Sequence, residues 1–413
     1  MKTLSLRGIC RLFPEKKQTM SSANKILVAN IGSTSFKFKL YEMPAERVLA
    51  SGGIERIGAD EGSFKYTLGD NAEVRGNAPF KDYSAAISFV EKTLGGFADL
   101  AAVGFKPVMA KNISGTQFME EPVLAAMEEL YTLFPAHNPP YVNAIRSFQK
   151  AFPQLPCIGT FETAFYDDLP EHNRRYPVPR EWEEKFGVRR YGFHGASHRY
   201  ISQRVAELRG EKNLRVISCH LGGSSSVCCI KNGTAIDSSW GMTPQSGLPQ
   251  NNRVGDFDVF AAIYLARDLK LGVDEVERVL SKESGLKGLS NLPQGDMRDL
   301  LAAIDAGDKN AEVALDVFVG AIRKYIGQFL VEMNGADVIS FTAGIAENNP
   351  ILREKILAGT DFAGIKLDKN ANDSARGCEA ILSAPDSKIE VRLVPTNEEL
   401  IIARNAWAKL HEK

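Results

Sequence analysis

The sequence predicts an α/β protein built from two related halves around a shared cleft. Three observations carry that prediction. A strand–loop–strand unit occurs twice, and strands alternate with helical stretches along the chain. The length of 413 residues exceeds one simple core and suits two domains of about 150–200 residues. The first unit reads Ile26-Leu27-Val28, then Asn30-Ile31-Gly32-Ser33-Thr34-Ser35, then alternating Phe36, Phe38 and Leu40. The second reads Val216-Ile217, then His220-Leu221-Gly222-Gly223-Ser224-Ser225, then Val227-Cys228-Cys229-Ile230. Aligning Gly32 with Gly222 also aligns Ser35 with Ser225. Glycine backbone can approach an anion closely, and the hydroxyls and amide N–H groups of such a loop can bind its oxygens. Either loop alone is equally an ordinary Gly/Ser hairpin turn. The pair points to a duplicated nucleotide-binding fold with its ligand between the halves.

The folded part begins near Lys25 with the first unit, and strand alternation with Gly-rich turns continues to about Leu68. Helical periodicity follows at Tyr83–Leu94 and Val123–Phe134. The run Pro135-Ala136-His137-Asn138-Pro139-Pro140 breaks the chain before a helical segment at Val142–Phe152. Ile158-Gly159-Thr160-Phe161 reads as a buried strand that delivers Glu162 and Thr163 at its end. A glycine-punctuated loop, Arg189 to His198, leads to a helix from Arg199 with Ser197 as N-cap. In the second half, Asn232-Gly233 is a two-residue hairpin signal. A long loop from Gly241 to Asp258 carries Arg253. Val313, Val317, Phe318, Ile322, Tyr325, Ile326, Phe329, Leu330 and Met333 mark one apolar stripe of a helix over Ala311–Met333, closed by Asn334-Gly335. Val338–Phe341 is a buried strand feeding a turn over Gly344–Asn348. Val391–Val394 leads to the last helix, where Thr396 and Glu399 fit a capping box.

Composition excludes several function classes. Hydrophobic residues at 44% and charged residues at 24% are ordinary for a globular chain. A net charge of −1 supplies no field for nucleic acid or anionic membrane. No apolar run approaches the ~20 residues of a membrane-spanning helix. The six cysteines form no CxxC pair, so a reducing cytoplasm is expected. Residues 1–23 differ from the rest: Lys2, Arg7, Arg11, Lys16 and Lys17 face one acid, Glu15, and Leu6, Ile9, Leu12 and Phe13 suit one face of a short helix. Two readings stay open. This is a disordered leader, or an upstream start with Met20 as initiator; or it is an amphipathic peptide docking into an organelle or a protein-shelled microcompartment.

No GxxxxGK[ST] and no GxGxxG after a strand is present, so neither a P-loop nor a dinucleotide site is supported. Other motifs are informative. Ala29–Lys37, His137-Asn138-Pro139-Pro140, Arg190–His198, His220-Leu221-Gly222, Phe341–Asn348 and Pro395-Thr396-Asn397-Glu398-Glu399 run in order along the chain. In these the sequence resembles the acetate kinase family. The resemblance implies the fold shared with actin, hexokinase and the heat-shock ATPases: two duplicated ribonuclease H-like domains around a nucleotide cleft, usually in a homodimer. It implies an N-terminal domain over 25–164 joined by the C-terminal helix 398–413, a nucleotide-binding domain over 165–397, and a leader over 1–24.

The implied reaction is reversible transfer of the ATP γ-phosphoryl group to acetate or another small carboxylate, with magnesium or manganese as cofactor. Asn30 and Glu398 match the metal site. His194 matches a transition-state-stabilising histidine, and Arg253 an arginine bridging carboxylate and phosphoryl group. Glu162 would orient or deprotonate the acceptor. Ser33, Ser35, Lys37, His220, Gly222, Gly223, Ser224, Ser225 and Ser226 would face nucleotide phosphates, and Asp296, Met297, Arg298, Gly344, Ile345 and Asn348 the adenosine. Val108, Ala136, Phe193 and Pro244 match the pocket for the acyl tail. Two departures fall on the acceptor side. Lys106 stands where the family has a substrate-clamping arginine, keeping the charge but losing the planar fork, and with Arg253 it would hold the acceptor carboxylate. Glu162 stands where the family has aspartate, moving the carboxylate by one methylene. Gly223 replaces an asparagine, and Gln250-Asn251-Asn252-Arg253 stands for Met-Gly-Thr-Arg. Propionate, butyrate or another acid as acceptor therefore remains open, as does a weakly active or inactive nucleotide-binding relative with a regulatory or scaffold role.

Overall fold

The computed structural model describes residues 23–412; residues 1–22 of the leader lie outside them. Two sheets organise the chain. The first contains β1 (Lys25–Ile31), β2 (Ser35–Glu42), β3 (Arg47–Glu55), β4 (Gly62–Leu68), β5 (Val74–Ala78), β6 (Leu100–Phe105), β7 (Thr116–Phe118) and β8 (Cys157–Thr160), in spatial order 5-4-3-2-1-6-8-7. The second contains β9 (Arg215–Leu221), β10 (Ser225–Lys231), β11 (Thr234–Ser238), β12 (Val338–Thr342), β13 (Ala380–Ile381) and β14 (Glu390–Leu393), in order 11-10-9-12-14-13. The sheets repeat one plan. β1 pairs antiparallel with β2 and parallel with β6, which is parallel to β8. β9 pairs antiparallel with β10 and parallel with β12, which is parallel to β14. The two strand–loop–strand units thus occupy equivalent places in two related sheets.

Apolar alternation decides what covers each face. Leu27, Ala29 and Ile31 point to a core closed by the helices Tyr83–Thr93 and Asn138–Ala151. Ile26 and Val28 point the other way, onto Leu400, Ile401, Ile402, Ala403 and Ala406 of the C-terminal helix Glu398–His411. That helix also packs on Gly195–Arg209, so it touches elements of both halves. Gly104 on β6 makes the docking possible: a Cβ there would sit 2.9 Å from Ile402 Cγ2. In the second sheet the long helix Lys309–Glu332 closes the larger core.

Several element boundaries differ from the sequence reading. The helix expected over Val123–Phe134 runs Glu121–Glu128 and then gives way to turns. Pro139 and Pro140 do not precede the next helix but lie in its first turn, where a missing N–H forfeits no helical bond. The helix expected from Arg199 begins at Gly195, and Ser197 is buried inside it rather than capping it. The segment Ala343–Asn348 is a short helix, not a turn. On the long helix, Val313 and Val317 are exposed; the buried stripe is Ala311, Leu315, Phe318, Ile322, Ile326 and Phe329. The last helix is capped by Asn397, which accepts from the Leu400 N–H at 3.3 Å, while the Thr396 hydroxyl meets Ser197 instead. The Asn232-Gly233 hairpin forms as expected, with φ of 53° and 86°.

Candidate active site

Strand ends deliver the acceptor-side residues. β6 and β8 are parallel neighbours, so the residues following them, Lys106 and Glu162, emerge side by side. The C-terminal helix brings Glu398 to the same point. Lys106 Nζ lies 2.7 Å from Glu162 Oε1 and 2.5 Å from Glu398 Oε2, all three mostly buried. A buried ion group of this kind is sustained only by close pairing, since each charge loses its hydration. The two acids are not equivalent. Burial raises the pKa of Glu162 above the usual carboxylate range, with Lys106 pulling it back only in part. Burial also raises Glu398, but there Lys106 and His220 win and the group stays below its usual value. Glu398 is therefore the settled anion and Glu162 the carboxyl closer to proton exchange. Glu162 Oε2 is buried without a hydrogen-bond partner among the described residues. Gly195 permits this crowding, because a Cβ there would fall 2.2 Å from the Glu162 carbonyl oxygen.

Tyr141, not singled out in the sequence, joins this cluster to Asn30. Its hydroxyl lies 3.3 Å from Asn30 Oδ1 and 3.4 Å from the Ile31 amide nitrogen. Lys106, Glu162 and Glu398 all act on it electrostatically. Asn30, Glu398 and the unpartnered Glu162 oxygen together offer hard oxygen donors and no sulfur. That donor set fits magnesium, which needs one or two carboxylates when phosphate oxygens and water complete its shell.

Opposite stands a cation of different character. Arg253 is partly buried and has no carboxylate partner among the described residues; Nη1 donates to Gln250 Oε1 at 3.1 Å and to the Pro244 carbonyl at 3.3 Å. A partly buried guanidinium held by neutral acceptors retains an unspent positive charge for an anion. Arg253 and Lys106, after burial itself, push His137 down to about 4. Pro244, Gln250 and Arg253 form one hydrogen-bonded corner, since Gln250 Nε2 also donates to the Pro244 carbonyl at 3.0 Å. Val108 and Phe193 meet in an apolar cluster with Met109, Phe134 and Trp240, none of the last three anticipated. Ala136 lies on the exposed turn before His137.

His194 adopts a left-handed conformation, φ 57°, at the start of Gly195–Arg209. Such backbone costs roughly 1 kcal/mol or more outside glycine and clusters at functional sites. Its ring stacks on His220 with centroids 4.1 Å apart and stands edge-on to Trp240 at 5.3 Å. Burial, then His220 and His198, hold His194 well below the usual histidine range. His220 is pushed down to about 4 by burial. Both rings are neutral near pH 7.

The phosphate-loop candidates occupy matching turns. The Gly32 N–H donates to the Ser35 carbonyl at 2.9 Å, and the Gly222 N–H to the Ser224 carbonyl at 3.2 Å. Tyr83 pins the first turn through the Gly32 carbonyl. Ser224 Oγ donates to Gln250 Oε1 at 2.9 Å, so the second turn and Arg253 share one acceptor. Gly223 lies against Asn251, whose N–H donates to its carbonyl at 3.2 Å. Not every predicted side chain faces the loop opening. Ser225 Oγ turns back to the Gly222 carbonyl at 2.8 Å, and Ser226 is fully buried between two imidazoles. Ser33 is exposed, as is Lys37, which pairs across strands with Asn30. Asp296 caps the helix Met297–Asp305, Met297 enters the core, and Arg298 is exposed and paired with Asp296. Gly344 accepts from Asn348 Nδ2 at 2.9 Å within the short helix, and Ile345 packs on the core beside it.

Known proteins resemble the chain over nearly the whole of its length. A profile of the Acetokinase family matches residues 25–404. The acetate kinase of Pseudothermotoga lettingae is 41% identical over 392 residues, covering 92% of this chain and 96% of that protein. The crystal structure of Porphyromonas gingivalis acetate kinase superposes with a TM-score of 0.85 at 36% identity, covering 94% and 100% of the two chains. A propionate kinase from Francisella tularensis superposes with a TM-score of 0.86 at 29% identity, covering 92% and 98%.

Proposed function

The chain belongs to the acetokinase family, and from that premise we propose that it moves the γ-phosphoryl group of ATP onto acetate, forming acetyl phosphate, and runs the reverse transfer. It is a phosphotransferase with a carboxyl group as acceptor. The observation that carries the substrate class is Arg253: a partly buried guanidinium without a counter-anion among the described residues, close enough to two neutral histidines, His194 and His137, to lower both. Arg253 holds the acceptor carboxylate and the transferring phosphoryl group together. His194 donates to an equatorial phosphoryl oxygen while uncharged. Lys106 fixes Glu162 and Glu398 in place, and Glu162 orients the acceptor. Val108, Phe193 and their aromatic neighbours take the acyl tail. Asn30 and Glu398 would hold magnesium, with Glu162 as a further oxygen donor; when bound, the ion would neutralise charge on the phosphate oxygens. The turns at Gly32 and Gly222–Ser224 cradle the phosphates.

A second acceptor is supported by particular residues. Lys106 and Glu162 reshape the carboxylate end, and the propionate kinase from Francisella tularensis has the same architecture. An ATP-dependent hydroxamate assay over acetate, propionate and butyrate separates these outcomes. Nucleotide binding with no hydroxamate from any acid would overturn the catalytic reading. We further propose that the halves divide near residue 165, with Glu398–His411 returning to the first, and that two copies pair. Phe257, Val259, Phe260, Ile263, Tyr264 and Val273 are all exposed on and around the helix Val259–Arg267, which has no buried residue of its own. Phe257, Val259, Ile263 and Val273 also line a cavity of about 980 Å³ together with Val276 and Tyr325. Exposed apolar surface of that extent marks an interaction site.

A further inference from the structure

A fully buried imidazole, His198, and a partly buried one, His194, meet at a single hydroxyl. Ser226 Oγ lies 2.8 Å from His194 Nδ1 and 2.9 Å from His198 Nε2. The far side of His198 is also engaged: its Nδ1 lies 2.8 Å from Ser218 Oγ. Ser218, Ser226 and His198 are all fully buried. His198 has no place in the phosphoryl-transfer scheme above, and Ser226 cannot face the phosphates from where it sits.

Proton counting makes the chain directional. Each hydroxyl carries one hydrogen, and each neutral imidazole carries one N–H and one lone pair. Burial and His220 hold His198 neutral, as burial and its neighbours do His194. A hydroxyl oxygen can accept twice, so three arrangements satisfy all three contacts. In one of them His198 Nε2–H and His194 Nδ1–H both donate to Ser226, whose own buried hydrogen is then left without an acceptor among the described residues, at the full desolvation cost of the group. Two arrangements remain. In the first, Ser218 donates to His198 Nδ1, His198 Nε2–H donates to Ser226, and Ser226 donates to His194 Nδ1. The one remaining N–H is then His194 Nε2–H. In the second, every bond reverses, His194 Nε2 becomes a bare lone pair, and the spare hydrogen sits on Ser218. Ser218 lies inside the sheet on β9, registered against Ser340 of β12, whose own hydroxyl is buried without a partner among the described residues. A hydrogen stranded there would be a buried unsatisfied donor, at the full desolvation cost of the group. The first arrangement instead releases the spare N–H at the site, where an anion arrives.

We propose that His198, Ser226 and Ser218 are positioning residues that lock His194 as its Nε2–H tautomer, so that a neutral imidazole presents a donor to the transferring phosphoryl group. The functional half of this statement rests on the role of His194 given above; the tautomer does not. A neutral donor suits this position. It sits at the N-terminus of the fifteen-residue helix Gly195–Arg209 and is felt by Lys106 and Arg253, so an imidazolium would add charge to an already positive corner.

The test is nitrogen-15 NMR on histidine-labelled full-length protein, reading the tautomer of His194 with and without Ser226. Wild type should show His194 protonated at Nε2 alone. Ser226→Ala should give a mixture of tautomers and lower kcat on the order of 10–100-fold, the range of orienting groups, with the KM for ATP within about twofold. Ser226→Thr, which keeps the hydroxyl, should restore both. Ser218→Ala should also mix the tautomers, and serves if Ser226→Ala does not fold. Protonation at Nδ1 in wild type, or an unchanged single tautomer in the folded alanine variants, overturns the proposal. If wild type makes no acyl phosphate but shows the Nε2–H tautomer, the proposed function fails and the relay stands.

Discussion

Lys106 and Glu162 depart from the family pattern together, and at 2.7 Å they are in direct contact. Residues in contact are the ones whose substitutions fail to add, by about 0.5–3 kcal/mol. A double-mutant cycle with Lys106→Arg and Glu162→Asp, read as kcat/KM for acetate, propionate and butyrate, should show coupling of that size. Additive, small effects would mean that the pair is not matched. Glu398 faces the same lysine but stays ionised, so Glu398→Ala should abolish the magnesium dependence of ATP affinity in calorimetry while leaving some nucleotide binding. Affinity insensitive to chelator in wild type would remove Asn30 and Glu398 as metal ligands. Part of the site was legible because its members sit in motifs: Asn30, His194 and Glu398 each lie in a distinctive run, while Glu162 and Arg253 lie where this chain departs from the family pattern. Tyr141, Gln250 and Trp240 were not, since their roles come from contacts across 111, 26 and 46 residues of chain, with Asn30, Ser224 and His194. Tyr141 follows directly on His137-Asn138-Pro139-Pro140, and that adjacency was the one available signal. His198 was visible four residues from His194, but the serine between the two rings comes from a strand 28 residues away.

Elements were legible where periodicity was strong and uncertain where tertiary contacts set the ends. The repeated strand–loop–strand units were readable because a glycine turn between apolar alternations has few other solutions. The helix at Gly195 was not, because its first turn is Gly-rich and is held by Ser197 and His198 reaching into the neighbouring sheet. Val313 and Val317 misled the stripe on the long helix for a simpler reason: apolar residues also lie on exposed faces. The C-terminal helix offers a direct test of element packing. Gly104→Val would place a branched side chain where 2.9 Å separates a Cβ from Ile402, and overpacking of this kind costs about 1–3 kcal/mol. Chemical denaturation should show that loss. Ile402→Ala in the same background should recover part of it by making room.

For the whole molecule, four histidines are held below their ordinary value: His137 and His220 to about 4, and His194 and His198 well below it. The unfolded chain takes up protons at these groups near pH 6.5, whereas the folded protein refuses them. Stability from these groups is present above about pH 6.5 and is lost as pH falls toward 4. Glu162, Asp167, Asp237, Glu332 and Glu347, all raised by burial, oppose this from ordinary carboxylate values near 4, toward the acid end of the range. The melting temperature should therefore drop on going from pH 7 to pH 5, and His198→Asn should flatten the slope by about one proton; a pH-independent melt would contradict the neutral assignment. The apolar face around Phe260 makes a second prediction. Sedimentation should find a dimer for wild type and a monomer for Phe260→Glu, and a wild-type monomer would leave that face for another partner. The placement of the last helix has a consequence in time rather than in space. Ile26, Val28, Ala102 and Ile158, made early, are covered by Leu400–Ala406, made last. At synthesis rates of about 5–20 residues per second, that face of the first sheet waits roughly 10–50 s, uncovered, for its partner to leave the ribosome. The N-terminal half cannot finish folding as it emerges, and a nascent chain stalled before Glu398 would present a bare sheet face to whatever chaperone meets it first.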